Sequence, residues 1–122
     1  MHIQFAELAV TDQDRAKSFY TDHFGCEVAA DVPMSADGWR WIELRFAGAD
    51  TALHFTRRKD EAPSADPVMV LVEDDVDAVA ARLKSEGVEI VSGPQAAPYD
   101  PRRRVAEFRD SEGNRLVISS RP

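Results

Sequence analysis

The sequence predicts an α+β fold made of two copies of a βαβββ unit, and two observations carry that expectation. Val10, Asp12, Gly25 and Glu27 recur 62 positions later as Val72, Asp74, Gly87 and Glu89, half of a 122-residue chain, which is the mark of a duplicated supersecondary unit. Within each half, a stretch of period two is followed by a helical stripe and then by three further strand-like stretches. A chain this long buries roughly two thirds of its unfolded surface, whereas half of it, at about 60 residues, would bury its sheet poorly alone. One domain over residues 1–122 is therefore expected, with module one about 1–60 and module two about 61–122. A site is expected where the copies meet.

Residues 3–10 read as the first strand, with Ala6, Leu8 and Val10 alternating against Phe5, Glu7 and Ala9. Asp12 offers an N-cap. Ala16, Phe19, Tyr20, His23 and Phe24 then recur at spacings of three and four, and Gly25 ends the helix because it takes positive φ without a Cβ clash. Strands follow at 26–30, 39–46 and 51–56, separated by the Pro- and Gly-bearing segment 33–38 and by 47–50. A polar connector, 57–66, leads into the second copy: strand 67–72, cap Asp74, and a helical stripe of Val76, Val79, Ala80 and Leu83 ended by Gly87. Strands at 88–91, 103–109 and 115–119 complete it, the last two joined by a turn at 110–114.

The chain carries 22 acidic and 15 basic side chains, a net charge of −7. Its mean field repels phosphate backbones and anionic bilayers, so neither nucleic acid nor a membrane is an expected partner. Residues 1–4 lack the basic and apolar pattern of a signal peptide. The single cysteine, Cys26, excludes an internal disulfide and suits a reducing, cytoplasmic setting as a small buried apolar residue. The one basic cluster, Arg102, Arg103 and Arg104, reads either as an ion-paired strand edge or as a clamp on an anionic group.

Val10, Asp12, Arg15, Ala16, Phe19, Tyr20 and Gly25 resemble the opening signature, and Phe108, Asp110, Gly113 and Asn114 the closing signature, of the vicinal oxygen chelate superfamily. That superfamily includes glyoxalase I, bleomycin-resistance and fosfomycin-resistance proteins and extradiol dioxygenases. The resemblance spans essentially the whole chain. It implies two βαβββ modules whose eight strands curve into one open, cup-shaped mixed sheet with helices outside, often completed by a second copy in a homodimer. Ser111 and Glu112 stand where the closing turn usually has proline and aspartate, while the turn's glycine is kept.

Strand parity then assigns the faces. Ala6, Leu8, Val10, Ile42, Leu44, Phe46, Leu53, Phe55, Val68, Val70, Val72, Leu116 and Ile118 are the apolar sets expected against the helices. The opposite parity places Phe5, Glu7, Trp39, Trp41, Glu43, His54, Thr56, Met69, Leu71, Arg103, Val105, Glu107, Val117 and Ser119 on the concave side. Glu7, Glu43 and His54 are the candidate catalytic residues, because a histidine flanked by carboxylates is suited to hold or move a proton; the same three also suit a structural hydrogen-bond network. Phe5, Trp39, Trp41, Thr56, Met69, Arg103 and Val117 are the candidate ligand-binding residues. The two tryptophans read as stacking surfaces for a flat or cationic ligand, or as filling and dimer contacts.

Metal-using members of the superfamily draw ligands from the first and fourth strands of each half, and by resemblance those positions are Phe5, Pro67, His54 and Val117. One of the four can ligate, while a catalytic divalent site takes about three protein ligands. No metal and no cofactor are therefore expected. The function implied is metal-free binding of a small organic ligand, cationic or aromatic, as in the antibiotic-sequestering branch. The alternative is a glyoxalase-like lyase or isomerase using His54 as base, or a metal relocated onto His54, Glu7 and Glu43. A third reading is an interaction module closed by a second copy.

Overall fold

The computed structural model describes residues 1–122 and divides into two units, Met1–Glu61 and Ala62–Pro122. Unit one runs β1 (Phe5–Val10), α1 (Gln13–Phe24), β2 (Glu27–Pro33), β3 (Arg40–Arg45) and β4 (Ala52–Arg57). Unit two repeats the order with β5 (Met69–Val72), α2 (Val76–Ser85), β6 (Ile90–Ala97), β7 (Asp100–Arg109) and β8 (Arg115–Ser119). The α+β class and the duplicated βαβββ order are those the sequence predicts. The eight strands are held as two four-stranded sheets, ordered β1-β4-β3-β2 and β5-β8-β7-β6. In each, the first strand runs parallel to the last and the other pairs are antiparallel.

Each helix begins on an aspartate that accepts a backbone N–H: Asp12 from Arg15 and Asp75 from Ala78, both at 3.0 Å. Such a cap satisfies an otherwise orphaned donor and stabilises by about 1 kcal/mol. α1 ends at Gly25, whose φ of 64° places it in the left-handed region. The inner stripe of α1, with Ala16 and Tyr20, is buried with Leu8, Val10, Ile42, Leu44, Leu53 and Phe55 of its sheet. In unit two, Val76, Ala80 and Leu83 are buried with Ala106, Phe108, Leu116 and Ile118. Burying each large apolar side chain stabilises by roughly 1.5–3 kcal/mol. No helix is long and apolar enough to cross a membrane.

The second copy departs from the sequence reading by one residue. The cap of α2 is Asp75, not Asp74, which instead pairs with Arg121 at 2.6 Å. Leu8 partners Phe55 in unit one and Leu71 partners Ile118 in unit two, a displacement of 63. The glycines still recur at 62, because α2 is shorter than α1 by a residue between its start and Gly87. A one-residue slip turns a strand over. Val68, Val70 and Val72, expected against the helix, are therefore 46 %, 58 % and 57 % exposed, and Met69 and Leu71 take the core parity.

The hairpin of unit two is also longer than expected, with β6 reaching Ala97 and β7 starting at Asp100. Register shifts between Ser92 and Gln95 absorb Gly93 and Pro94. The closing turn is organised by Asp110, whose carboxylate accepts from the backbone of Glu112 at 2.8 Å and of Asn114 at 2.9 Å.

Candidate functional site

Glu7, His54 and Glu43 form one row across the first sheet. His54 is the cross-strand partner of Glu7 on β1 and of Glu43 on β3, and partners side by side project from the same face. That face is opposite the one carrying the core residues Leu8, Leu44 and Phe55. Phe5 on β1 and Trp41 on β3 share its parity. All three residues of the row belong to unit one.

The side chains close into an aromatic cluster. The Trp41 and His54 ring centroids are 4.0 Å apart, and Phe5 lies 5.8 Å from Trp41, edge-on, and 5.6 Å from His54. The Trp41 indole N–H donates to Glu43 Oε1 at 2.8 Å, which orients both. His54 Nδ1 is buried, with 12 % of the side chain exposed, and makes no hydrogen bond. Glu7 Oε1 stands 3.9 Å from it, within electrostatic reach but beyond hydrogen-bonding distance. Glu7 itself is 55 % exposed. The face thus sets two carboxylates and an imidazole nitrogen without a hydrogen bond beside an aromatic wall.

The remaining candidates are placed elsewhere or otherwise engaged. Thr56 is half-buried and donates its hydroxyl to Leu8 O at 3.4 Å. Trp39 already carries a cation, the Arg57 guanidinium 4.6 Å from its ring centroid. Arg57 in turn pairs with Asp37 at 2.7 Å. Neither Asp37 nor Arg57 was singled out in the sequence, where both fall in stretches read as connectors. Their one signal is proximity to Trp39 and to the end of the fourth strand. Arg103 and Arg102 both bind Asp100, and Arg104 binds Asp77 of α2, so the basic run is ion-paired, on a strand that lies inside its sheet rather than at the expected edge. Val117 partners Val70 and Glu107, while Met69 partners the core residue Leu116 and so takes the opposite face.

The residues present do not fit the superfamily's metal. Of Phe5, Pro67, His54 and Val117 only His54 carries a donor, and no three His, Cys, Asp or Glu side chains of the chain are grouped to hold an ion. In the relocated set, Glu43 Oε1 accepts from the Trp41 indole, while Glu7 Oε1 stands 3.9 Å from His54 Nδ1.

Residues 2–118 match the model of the Glyoxalase/Bleomycin resistance protein/Dioxygenase superfamily. The fold superposes with a TM-score of 0.83 on TnmS3, an antibiotic binding protein from Streptomyces sp. CB03234, at 34% identity over 100% of this chain and 97% of that one. A glyoxalase/bleomycin resistance protein from the same organism is 33% identical, with a TM-score of 0.76 over 96% of this chain and 98% of that one. The protein YetH of Bacillus subtilis (strain 168) is 28% identical over 111 residues, 89% of each chain.

Proposed function

The chain belongs to the glyoxalase/bleomycin resistance protein/dioxygenase superfamily, and from that premise we propose that it binds a small organic ligand, without a metal, on the aromatic and acidic face of its first sheet. The observation that carries this reading is the packing of Trp41 on His54 and Phe5 beside two carboxylates, on the sheet face turned away from the core. Rings supply stacking area, and Glu7 and Glu43 favour positive charge, so the ligand class is planar and cationic. Similarity to an antibiotic binding protein supports sequestration as the role. Binding of this kind needs no chemical step. Titration with a cationic glycopeptide antibiotic, followed by tryptophan emission, tests it: saturable quenching is expected, and none at high micromolar ligand would contradict it.

A second reading, a lyase or isomerase step with His54 as base, is favoured by one observation, the buried Nδ1 that lacks a hydrogen bond. His54→Ala distinguishes the two, since ligand binding surviving without turnover points to catalysis and loss of binding points to recognition.

The same proposal places the protein in the cytoplasm as a homodimer, with its modules serving as one domain. Burial pushes the free Cys26 thiol up to about 12, which leaves it inert. β1 and β5 are edge strands, and the exposed valines of β5 form an apolar stripe that a second copy would cover. Sedimentation at micromolar protein checks the dimer.

A further inference from the structure

A pocket of about 350 Å³ lies beside Trp39, lined by Thr11, Asp37, Gly38, Trp39, Arg57 and Arg58. Its ionised side chains are two guanidinium groups and one carboxylate, an excess of one positive charge in a chain whose net charge is −7. That local reversal of sign is the opposite of what Glu7 and Glu43 impose around Trp41.

The geometry around Arg57 is built rather than incidental. Its guanidinium lies over the Trp39 ring at 4.6 Å, and Nη1 donates to Asp37 Oδ2 at 2.7 Å. Asp37 also accepts from the Ser35 hydroxyl and from the Trp39 backbone N–H at 3.1 Å. The Arg57 guanidinium, then these two donors, hold its carboxyl well below the usual carboxylate range, so it stays an anion and keeps Arg57 on the ring. A stacked guanidinium retains its edge for planar hydrogen bonding. Here that edge, Nε and Nη2, has no protein acceptor, since Asp37 takes only Nη1. Arg58 is fixed at the same pocket by donation from Nη2 to Ala9 O at 3.1 Å. Glu61 Oε1 accepts from the Lys59 backbone N–H at 3.3 Å and is not part of the pocket lining; with Arg58 held on Ala9, Arg57 is the main anion ligand.

We infer that this pocket is a subsite for a carboxylate carried on a planar aromatic ring. The carboxylate accepts two parallel hydrogen bonds from the Nε–Nη2 edge of Arg57, and the attached ring lies against Trp39. The inference does not rest on ligand binding at Trp41.

The test uses the full chain labelled with nitrogen-15, in which the two indole N–H resonances are assigned with Trp41→Phe and Trp39→Phe. The probe is 2-naphthoate, and its uncharged amide is the control. The Trp39 indole and Arg57 Nε–H resonances should shift saturably with the acid, while those of Trp41 and His54 stay still. The amide should bind at least about tenfold more weakly, as should the acid to Arg57→Gln, with Arg57→Lys in between because it keeps charge but loses the planar edge. Equal binding of acid and amide, a response at Trp41 in place of Trp39, no saturable shift, or full affinity in Arg57→Gln would each overturn the inference. A cationic aromatic probe in the same samples reports on Trp41, so failure there counts against the proposed function and leaves this pocket standing.

Discussion

The Trp41 and His54 rings lie 4.0 Å apart between centroids, inclined at 35°, on the face of the first sheet that does not meet α1. Replacing His54 by alanine removes a stacking partner without opening the helix–sheet core. His54→Ala is therefore expected to cost only about 1 kcal/mol of stability in urea denaturation, while weakening the cationic ligand roughly tenfold by fluorescence titration.

Asp31 on β2 accepts from Arg40 Nε on β3 and from Lys17 Nζ on α1, each at 2.8 Å, and Arg40 also reaches Asp14 on α1 at 2.6 Å. The Arg40 hydrogen bond first, then that of Lys17, holds the Asp31 carboxyl below its ordinary value. A carboxyl depressed on folding contributes stability that is present above its unfolded value near ~4 and is lost as pH falls through the folded one. Asp31→Asn should cost about 1–3 kcal/mol at neutral pH. Its stability should also fall less steeply than that of the parent below about pH 4, as urea midpoints across that range would record.

Leu71 partners the core residue Ile118, whereas Val70 partners Val117 on the opposite face and is half exposed. Leu71→Lys should therefore destabilise by roughly 2–3 kcal/mol by burying a charge against the core. Val70→Lys should stay within about 0.5–1 kcal/mol, and thermal melts of the pair measure the difference.

That strand also marks what could be read from sequence and what could not. Every element of the duplicated unit was legible, because stripes and glycines are local signals, although the α2 cap was misplaced by one residue; strand parity put Glu7, His54 and Glu43 on one face, while their alignment in one row rests on strand register, which the sequence does not carry. The facing of Val68, Val70 and Val72 was not, since the repeat of 62 is kept by the glycines while the strands and helix starts sit at 63. Three alternating valines carry no sign of which neighbour is polar. The Arg57–Asp37–Trp39 arrangement was hidden for a different reason: it joins a loop to a strand end, and no periodicity links residues twenty apart.

Gly93 has a φ of 78°, and a Cβ there would meet Val105 O at 2.5 Å. Gly48, at a φ of 74°, has open space around it. Gly48→Ala should cost about 1 kcal/mol from backbone strain alone, and Gly93→Ala clearly more, of order 3 kcal/mol, because a backbone oxygen must also move. Urea denaturation of the two variants separates strain from collision.

The most direct measurement is a titration of the Trp39→Phe protein, in which Trp41 is the only indole, with a planar cationic antibiotic. Saturable quenching at micromolar ligand, weakened about tenfold in Glu43→Gln, is the expected result. Emission that never saturates, or that saturates alike with Glu43 and with Gln in its place, would mean that the Trp41 face is not where this protein holds its ligand.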